Sequence, residues 1–156
     1  MKLRFLFVGG QKEIWLSDLT EEYRKKIGFF CPIEITRIKP SRQARGSAEQ
    51  KLAAESGEIL KNIGKEDLVI LCDERGELLD SRAFSKHLVK SFERGKPRVS
   101  IVIGGAFGFS DEVRKRADWV WSLSPLVFNH HLAQAIALEQ TYRAFAIWKN
   151  IPYHND

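Results

Sequence analysis

Apolar residues fall along this chain in short runs and helical stripes, interrupted by Gly, Pro and polar clusters. Lys2–Val8 is apolar and strand-like and stops at Gly9-Gly10. Trp15, Leu16, Leu19, Tyr23 and Ile27 then recur at the spacing of one helix face, and Gly28 ends that helix. Cys31–Ile38 alternates through Ile33, Ile35, Thr36 and Ile38 and predicts a second strand. A basic loop, Lys39–Ser47, follows with Pro40 and Gly46 as breakers, and Ala48–Asn62 returns to a helical pattern closed by Gly64. Leu68–Cys72 is a continuous apolar run that suits a central strand covered on both faces, and it ends at the turn-like Asp73-Glu74-Arg75-Gly76.

The carboxyl half repeats the alternation. Ser81 is placed to cap a helix through Phe92, with Ala83, Phe84, His87, Leu88 and Phe92 on its inner face. Val99–Ile103 is a short strand leading straight into Gly104-Gly105-Ala106-Phe107-Gly108. Ser110-Asp111-Glu112-Val113 opens a helix with acids in its first turn, where the helix dipole favours them. Trp119–Leu123 is the last strand, with one indole expected on each face, and His130–Trp148 is a long final helix. Pro152 starts a short tail, Tyr153-His154-Asn155-Asp156. Strand and helix in turn predict an α/β fold: a mainly parallel sheet flanked by helices, in one domain spanning 1–156. In such sheets ligands bind beyond the carboxyl ends of the strands, where Asp73–Gly76, Gly104–Gly108 and Ser124–Asn129 are expected to gather.

Composition narrows the picture without redirecting it. The 156 residues are 44% apolar and 29% charged, as in an ordinary folded domain. Lys and Arg number 25 against 20 Asp and Glu, a net charge of +5 that permits a polyanionic partner and does not demand one. No apolar run approaches the ~20 residues that cross a bilayer, and the start is too short for the apolar core of an export signal. The cytoplasm is therefore the expected location. Cys31 and Cys72 fit neither a zinc knuckle nor a redox pair and are expected to pack as small apolar side chains.

The glycine loop follows a buried strand, where missing side chains let backbone approach a ligand. Its spacing is neither G-x-G-x-x-G nor a P-loop. Asp73 and Glu74 at a strand end are candidates for a ribose contact or a base, while nothing resembles a calcium loop or a His–Cys cluster, so no metal is expected. His130 and His131 open the last helix, where an imidazole can cap or donate. Arg37–Arg45, including Arg42 and Arg45, is a loop from which side chains can track phosphates, whereas Arg114-Lys115-Arg116 reads as a solvated helix face. His154 stands in a tail where no pattern asks for a buried imidazole.

Four segments in order then carry a resemblance: Val102-Ile103-Gly104-Gly105-Ala106-Phe107-Gly108-Phe109-Ser110, Trp121-Ser122-Leu123-Ser124, Glu139-Gln140-Thr141-Tyr142-Arg143-Ala144, and Pro152-Tyr153-His154. With Cys72-Asp73-Glu74-Arg75-Gly76 in place of an L-D-x-x-G turn, the chain resembles end to end the ribosomal RNA large subunit methyltransferase H family of SPOUT enzymes. That resemblance implies an α/β fold with a carboxyl-terminal trefoil knot. It also implies a homodimer, S-adenosyl-L-methionine as methyl donor, and N3 of a pseudouridine in large-subunit rRNA of the ribosome as acceptor. It implies no metal.

By the same resemblance the cofactor meets Leu71, Cys72 and Asp73, then Gly104, Gly105 and Gly108, then Leu123, Ser124, Pro125, Leu126, Val127, Phe128, Asn129 and His130. His154 is the proton acceptor by type, positioned by Tyr153 and serving the pocket of the other subunit; Asp73 and a bound water are the alternatives. Arg143 is expected at a phosphate or a subunit carboxylate. Asn155 follows His154 where the family usually has Arg or Lys, and Ala106-Phe107 replaces a Pro-Glu pair. Two other readings compete: a cofactor-binding protein that has lost catalysis, and an unrelated α/β nucleotide-binding enzyme.

Overall fold

The computed structural model describes residues 2–10, 12–39 and 46–155. Among them, strands and helices alternate: β1 (Leu3–Val8), α1 (Ile14–Gly28), β2 (Ile33–Ile38), α2 (Ala48–Asn62), β3 (Leu68–Leu78), α3 (Ser81–Glu93), β4 (Val99–Ile103), α4 (Asp111–Arg116), β5 (Trp119–Ser122) and α5 (His130–Trp148). The strands form one five-stranded sheet in the order β2-β1-β4-β3-β5, every pair parallel. The expected α/β architecture is therefore present.

Side chains two apart on a strand share a face, which is why each central strand feeds two cores. Leu3, Phe5, Phe7, Ile70, Ile101 and Ile103 pack with Ile27, Phe84, Leu88, Leu138 and Phe145 from α1, α3 and α5. Leu6, Val8, Val69, Leu71 and Val102 pack with Ile59 of α2 and Val113 of α4. The continuous apolar runs are thus strands with helices on both faces.

Three local expectations are corrected. Asp80, not Ser81, caps α3, its carboxylate accepting from the Ala83 N–H at 2.7 Å; the Ser81 hydroxyl instead donates to Gln140 at 2.7 Å. The indoles of Trp119 and Trp121 lie on one face, as positions two apart on a strand must. Their rings are 6.4 Å apart, and Trp121 stacks on Phe84 at 3.8 Å. Strand β3 does not end at Cys72. Both Cys72 and Glu77 pair with Trp121, so residues 73–76 bulge out and the strand then resumes. Gly76 permits this, since a Cβ there would lie 2.6 Å from the backbone carbon and oxygen of Val120.

The basic triplet of α4 is not simply solvated. Arg116 donates to the carbonyls of Gly64 and Asp67, each at 2.8 Å, and so closes the turn before β3. Cys31 is buried and Cys72 half-buried, and neither forms a disulfide. No helix among the described residues is long and apolar enough to cross a membrane.

Candidate active site

The three loops expected at the carboxyl ends of the strands converge on one cavity of about 500 Å³. Adjacent parallel strands β4, β3 and β5 deliver them side by side. The bulge after β3 contributes Cys72, Asp73, Glu74 and Arg75. The loop after β4 contributes Gly104 through Phe109. The segment between β5 and α5 contributes Leu123, Ser124, Leu126, Val127, Phe128, Asn129 and His130.

Each loop has a local reason for its shape. The Gly108 N–H donates to the Gly105 carbonyl at 3.2 Å, with Gly108 at φ +73°, where an L side chain is strained. A Cβ on Gly104 would stand 3.1 Å from the Phe109 ring, and one on Gly105 would stand 3.0 Å from a Glu55 carboxylate oxygen. At Gly104 and Gly105 the loop is therefore packed tightly from behind, and its backbone forms part of the cavity wall. In the third loop the Ser124 hydroxyl accepts from the Leu126 N–H at 2.9 Å. Asn129 caps α5, accepting from the His131 N–H at 2.8 Å. Leu126 and Val127 are left 70% and 78% exposed, an apolar wall that the described residues leave open.

Another part of the wall is charged. Arg114 of α4 reaches Asp73 at 2.6 Å, and the Arg75 N–H donates to the other carboxylate oxygen at 2.9 Å. Burial alone would raise the Asp73 carboxyl, but these bonds and the guanidinium charges outweigh it and hold it below its usual range. Asp73 is thus an ionised, fully engaged carboxylate. Burial, then the neighbouring His131, pushes His130 down, so the imidazole that borders the cavity is neutral at pH 7. Among the described residues no group of His, Cys, Asp and Glu could hold a metal ion.

Most residues expected around a cofactor thus line one cavity. Two do not: the Leu71 side chain lies in the α2/α4 core, and Pro125 is not among the lining residues. Sequence reading missed Ile103, Phe109, Arg114 and Ala133. Arg114 carried a signal, since position i+4 from the cap Ser110 returns to the glycine loop's side of α4. Arg42 and Arg45 lie outside the described residues.

Tyr153 and His154 do not line this cavity. They dock toward the far end of α5. From His130 to Arg143 the helix climbs roughly 20 Å, at about 1.5 Å per residue. There Glu139 accepts from Arg143 Nε at 3.0 Å and from the Tyr153 hydroxyl at 3.1 Å. The Tyr23 hydroxyl of α1 lies 3.3 Å from that of Tyr153 and donates to it, because the Tyr153 hydrogen is already given to Glu139. Burial, together with the Glu139 carboxylate, pushes the Tyr153 phenol up, so it remains a donor. Arg143 lies over the Tyr153 ring at 4.8 Å and reaches His154 Nδ1 at 3.1 Å. The carboxylate Arg143 meets is therefore Glu139 of its own chain.

The family model described as predicted SPOUT methyltransferase matches residues 1–154. The chain belongs to that family. Within the SPOUT methyltransferases it is 50% identical to the ribosomal RNA large subunit methyltransferase H of Bdellovibrio bacteriovorus over 155 residues, 99% of each chain. It is 38% identical to the protein of the same name from Geobacter sulfurreducens, over 99% of this chain and 100% of that one.

Two solved structures share the SPOUT fold at 16% identity. One is a protein of Legionella pneumophila solved in complex with S-adenosylmethionine, with TM-score 0.50 over 93% of this chain; this chain spans 66% of that one. The other, a methylase-family protein of Haemophilus influenzae, has TM-score 0.54 over 99% of this chain and 70% of its own. At that identity they speak for the fold alone.

Proposed function

We propose that this protein is an S-adenosylmethionine-dependent methyltransferase that modifies N3 of a pseudouridine in large-subunit rRNA. In this reading it acts in the cytoplasm on the assembled ribosome, as a homodimer of single-domain chains spanning 1–156 whose carboxyl-terminal part forms a trefoil knot. The observation that carries it is the cavity of three convergent loops, set in a chain half identical to a protein named as a ribosomal RNA large subunit methyltransferase.

The residues present suit that cofactor. The cavity, about 500 Å³, lies within the range of pockets that enclose small ligands, roughly 300–1,000 Å³. Its wall joins side-chain-free backbone at Gly104 and Gly105, an apolar flank at Leu126, Val127 and Phe128, and a polar flank at Asp73, Glu74 and Arg114. The apolar flank would enclose an adenine. The polar flank would meet the zwitterionic amino-acid part, and Cys72, Gly108, Leu123, Ser124, Asn129 and His130 would complete the wall. Leu71 and Pro125 would act only by shaping their loops. The bound cofactor supplies an already activated methyl group on a sulfonium, so alignment rather than a metal is what the chain must provide.

Tyr153 and His154 would act on the acceptor base in the cavity of a second copy, because their dock sits some 20 Å along α5 from their own. Arg42 and Arg45 would track rRNA phosphates. The +5 charge is modest, so a large preshaped target would supply most of the recognition.

The deciding assay is methyl transfer to ribosomes from cells that lack this modification, with the product nucleoside identified by mass. No incorporation, with S-adenosylmethionine still bound in calorimetry, would leave a binding protein of the same fold. Binding of ATP in place of S-adenosylmethionine would overturn the cofactor assignment.

A further inference from the structure

Arg143 Nη1 and His154 Nδ1 meet at 3.1 Å. A guanidinium has hydrogens on every nitrogen and accepts nothing, and it stays charged at any working pH. Arginine therefore donates in this bond, and His154 Nδ1 supplies the lone pair. A neutral imidazole has one N–H and one lone pair. With the lone pair committed at Nδ1, the ring hydrogen sits on Nε2.

Arg143 is held in this role from several sides. Glu139 Oε1 accepts from its Nε at 3.0 Å and its Nη2 at 2.5 Å, and the guanidinium rests on the Tyr153 ring. Tyr153 is itself tied to the same carboxylate oxygen. Nη1 is the edge these contacts leave for His154.

We propose that Arg143 is a positioning residue that locks His154 in the Nε2–H tautomer, so that His154 meets the methyl acceptor as a hydrogen-bond donor and not as its base. The proposal rests on the reading above, in which the tail reaches the acceptor nucleobase. When N3 of a uracil ring loses its proton, the electron pair left behind spreads onto the two flanking carbonyl oxygens. A donor held at one of those oxygens stabilises the anion, and one preorganised donor of this kind is worth about 10²–10³ in kcat. The N3 proton passes to water. The nitrogen pair then forms the N–C bond as the C–S bond breaks, with the electrons of that bond remaining on sulfur. Asp73, the other candidate base, is occupied by Arg114 and the Arg75 N–H.

Two readouts test this on the full-length protein. Ring-nitrogen NMR of the protein labelled with ¹⁵N-histidine, at alkaline pH, reports which nitrogen carries hydrogen; the His154 signals are assigned by their loss in His154→Gln. The expected result is the Nε2–H form in the wild type and in Arg143→Lys, which keeps a donor, and a mixture of tautomers in Arg143→Met. An Nδ1–H ring in the wild type, or no change in Arg143→Met, overturns the lock.

Methylation of ribosomes supplies the second readout, with melting temperatures confirming that each variant folds. His154→Ala should lose about 10²–10³ in kcat. His154→Gln offers an N–H near the place of Nε2 and cannot act as a base, so it should stay about tenfold or more above His154→Ala. Equal loss in both overturns the donor role. A wild-type protein that methylates nothing overturns the functional reading and the donor role together, while the ring spectrum still decides the tautomer.

Discussion

Gly76→Ala places a methyl group where the backbone of Val120 already stands. The added Cβ would lie 2.6 Å from Val120 C and O and 2.7 Å from Trp121 C. An ordinary contact needs about 3.4 Å or more, so β3 and β5 must separate by several tenths of an ångström at the bulge, against a close-packed interior. Neither neighbour is the end of a flexible side chain, so little of this can be absorbed by a change of rotamer. Overpacking of this kind costs typically ~1–3 kcal/mol, and the backbone obstacle puts this case near the top, at about 3 kcal/mol. For a domain of this size each kcal/mol lowers the melting temperature by roughly 2–4 °C, so a fall of roughly 6–12 °C is expected.

The same substitution at Gly57, inside α2 with no atom within 4 Å of its would-be Cβ, supplies the control. There alanine should stabilise by up to about 1 kcal/mol, because it is the better helix former. The assay is thermal unfolding followed by circular dichroism, with S-adenosylmethionine calorimetry alongside. Gly76→Ala should also weaken cofactor binding, since the bulge it disturbs forms one cavity wall. A Gly76→Ala protein that melts within a degree of the wild type and binds cofactor equally well would refute the reasoning.

Three further outcomes are expected. Arg116→Ala removes the clamp on the Gly64 and Asp67 carbonyls and should cost about 1.5–3 kcal/mol in urea unfolding, while the cofactor Kd stays within twofold; a loss of binding with unchanged stability would contradict that division. Val127→Asp puts a charge on the exposed apolar flank and should weaken S-adenosylmethionine binding about tenfold or more, at a melting temperature within about 2 °C of wild type, because exposed substitutions usually cost little. The third outcome concerns pH. The Asp73 carboxyl titrates below its unfolded value, so the stability it lends is fully present above about pH 4 and is lost as pH falls through the lowered folded value. Asp73→Asn should therefore melt lower than wild type at pH 7, and the gap should narrow as the pH falls through the lowered folded value; a gap that persists unchanged in acid would show that the charge is not the cause.

How much of this was readable beforehand follows from where each feature's cause lies. Leu68–Cys72 and Val99–Ile103 announce central strands because their neighbours along the chain carry the whole pattern. The cavity was legible in outline for the same reason, since loops at the carboxyl ends of adjacent parallel strands must meet. The bulge at 73–76 was not. Its turn-like residues concealed a strand that resumes, and what decides the matter is the Val120 backbone beside Gly76.

Asp80 in place of Ser81 as cap was a choice between adjacent good cap formers, settled by the partner Gln140 offers the serine. The two indoles were misassigned although strand geometry alone places positions two apart on one face. The tail dock lay beyond local reasoning altogether. It needs Tyr23 from α1, Glu139 and Arg143 one turn apart on α5, and a tail that folds back onto both.

Helix α5 carries a piece of the cavity at its first turn and the dock for the chain terminus near its last, nineteen residues in all. It therefore works as a gauge block. Deleting one interior residue would shorten it by only about 1.5 Å but would swing everything downstream by about 100°. Such a chain would keep an intact cradle and an intact terminus that no longer face compatible directions, so in this enzyme indels within the helix should be far less tolerated than substitutions on its surface.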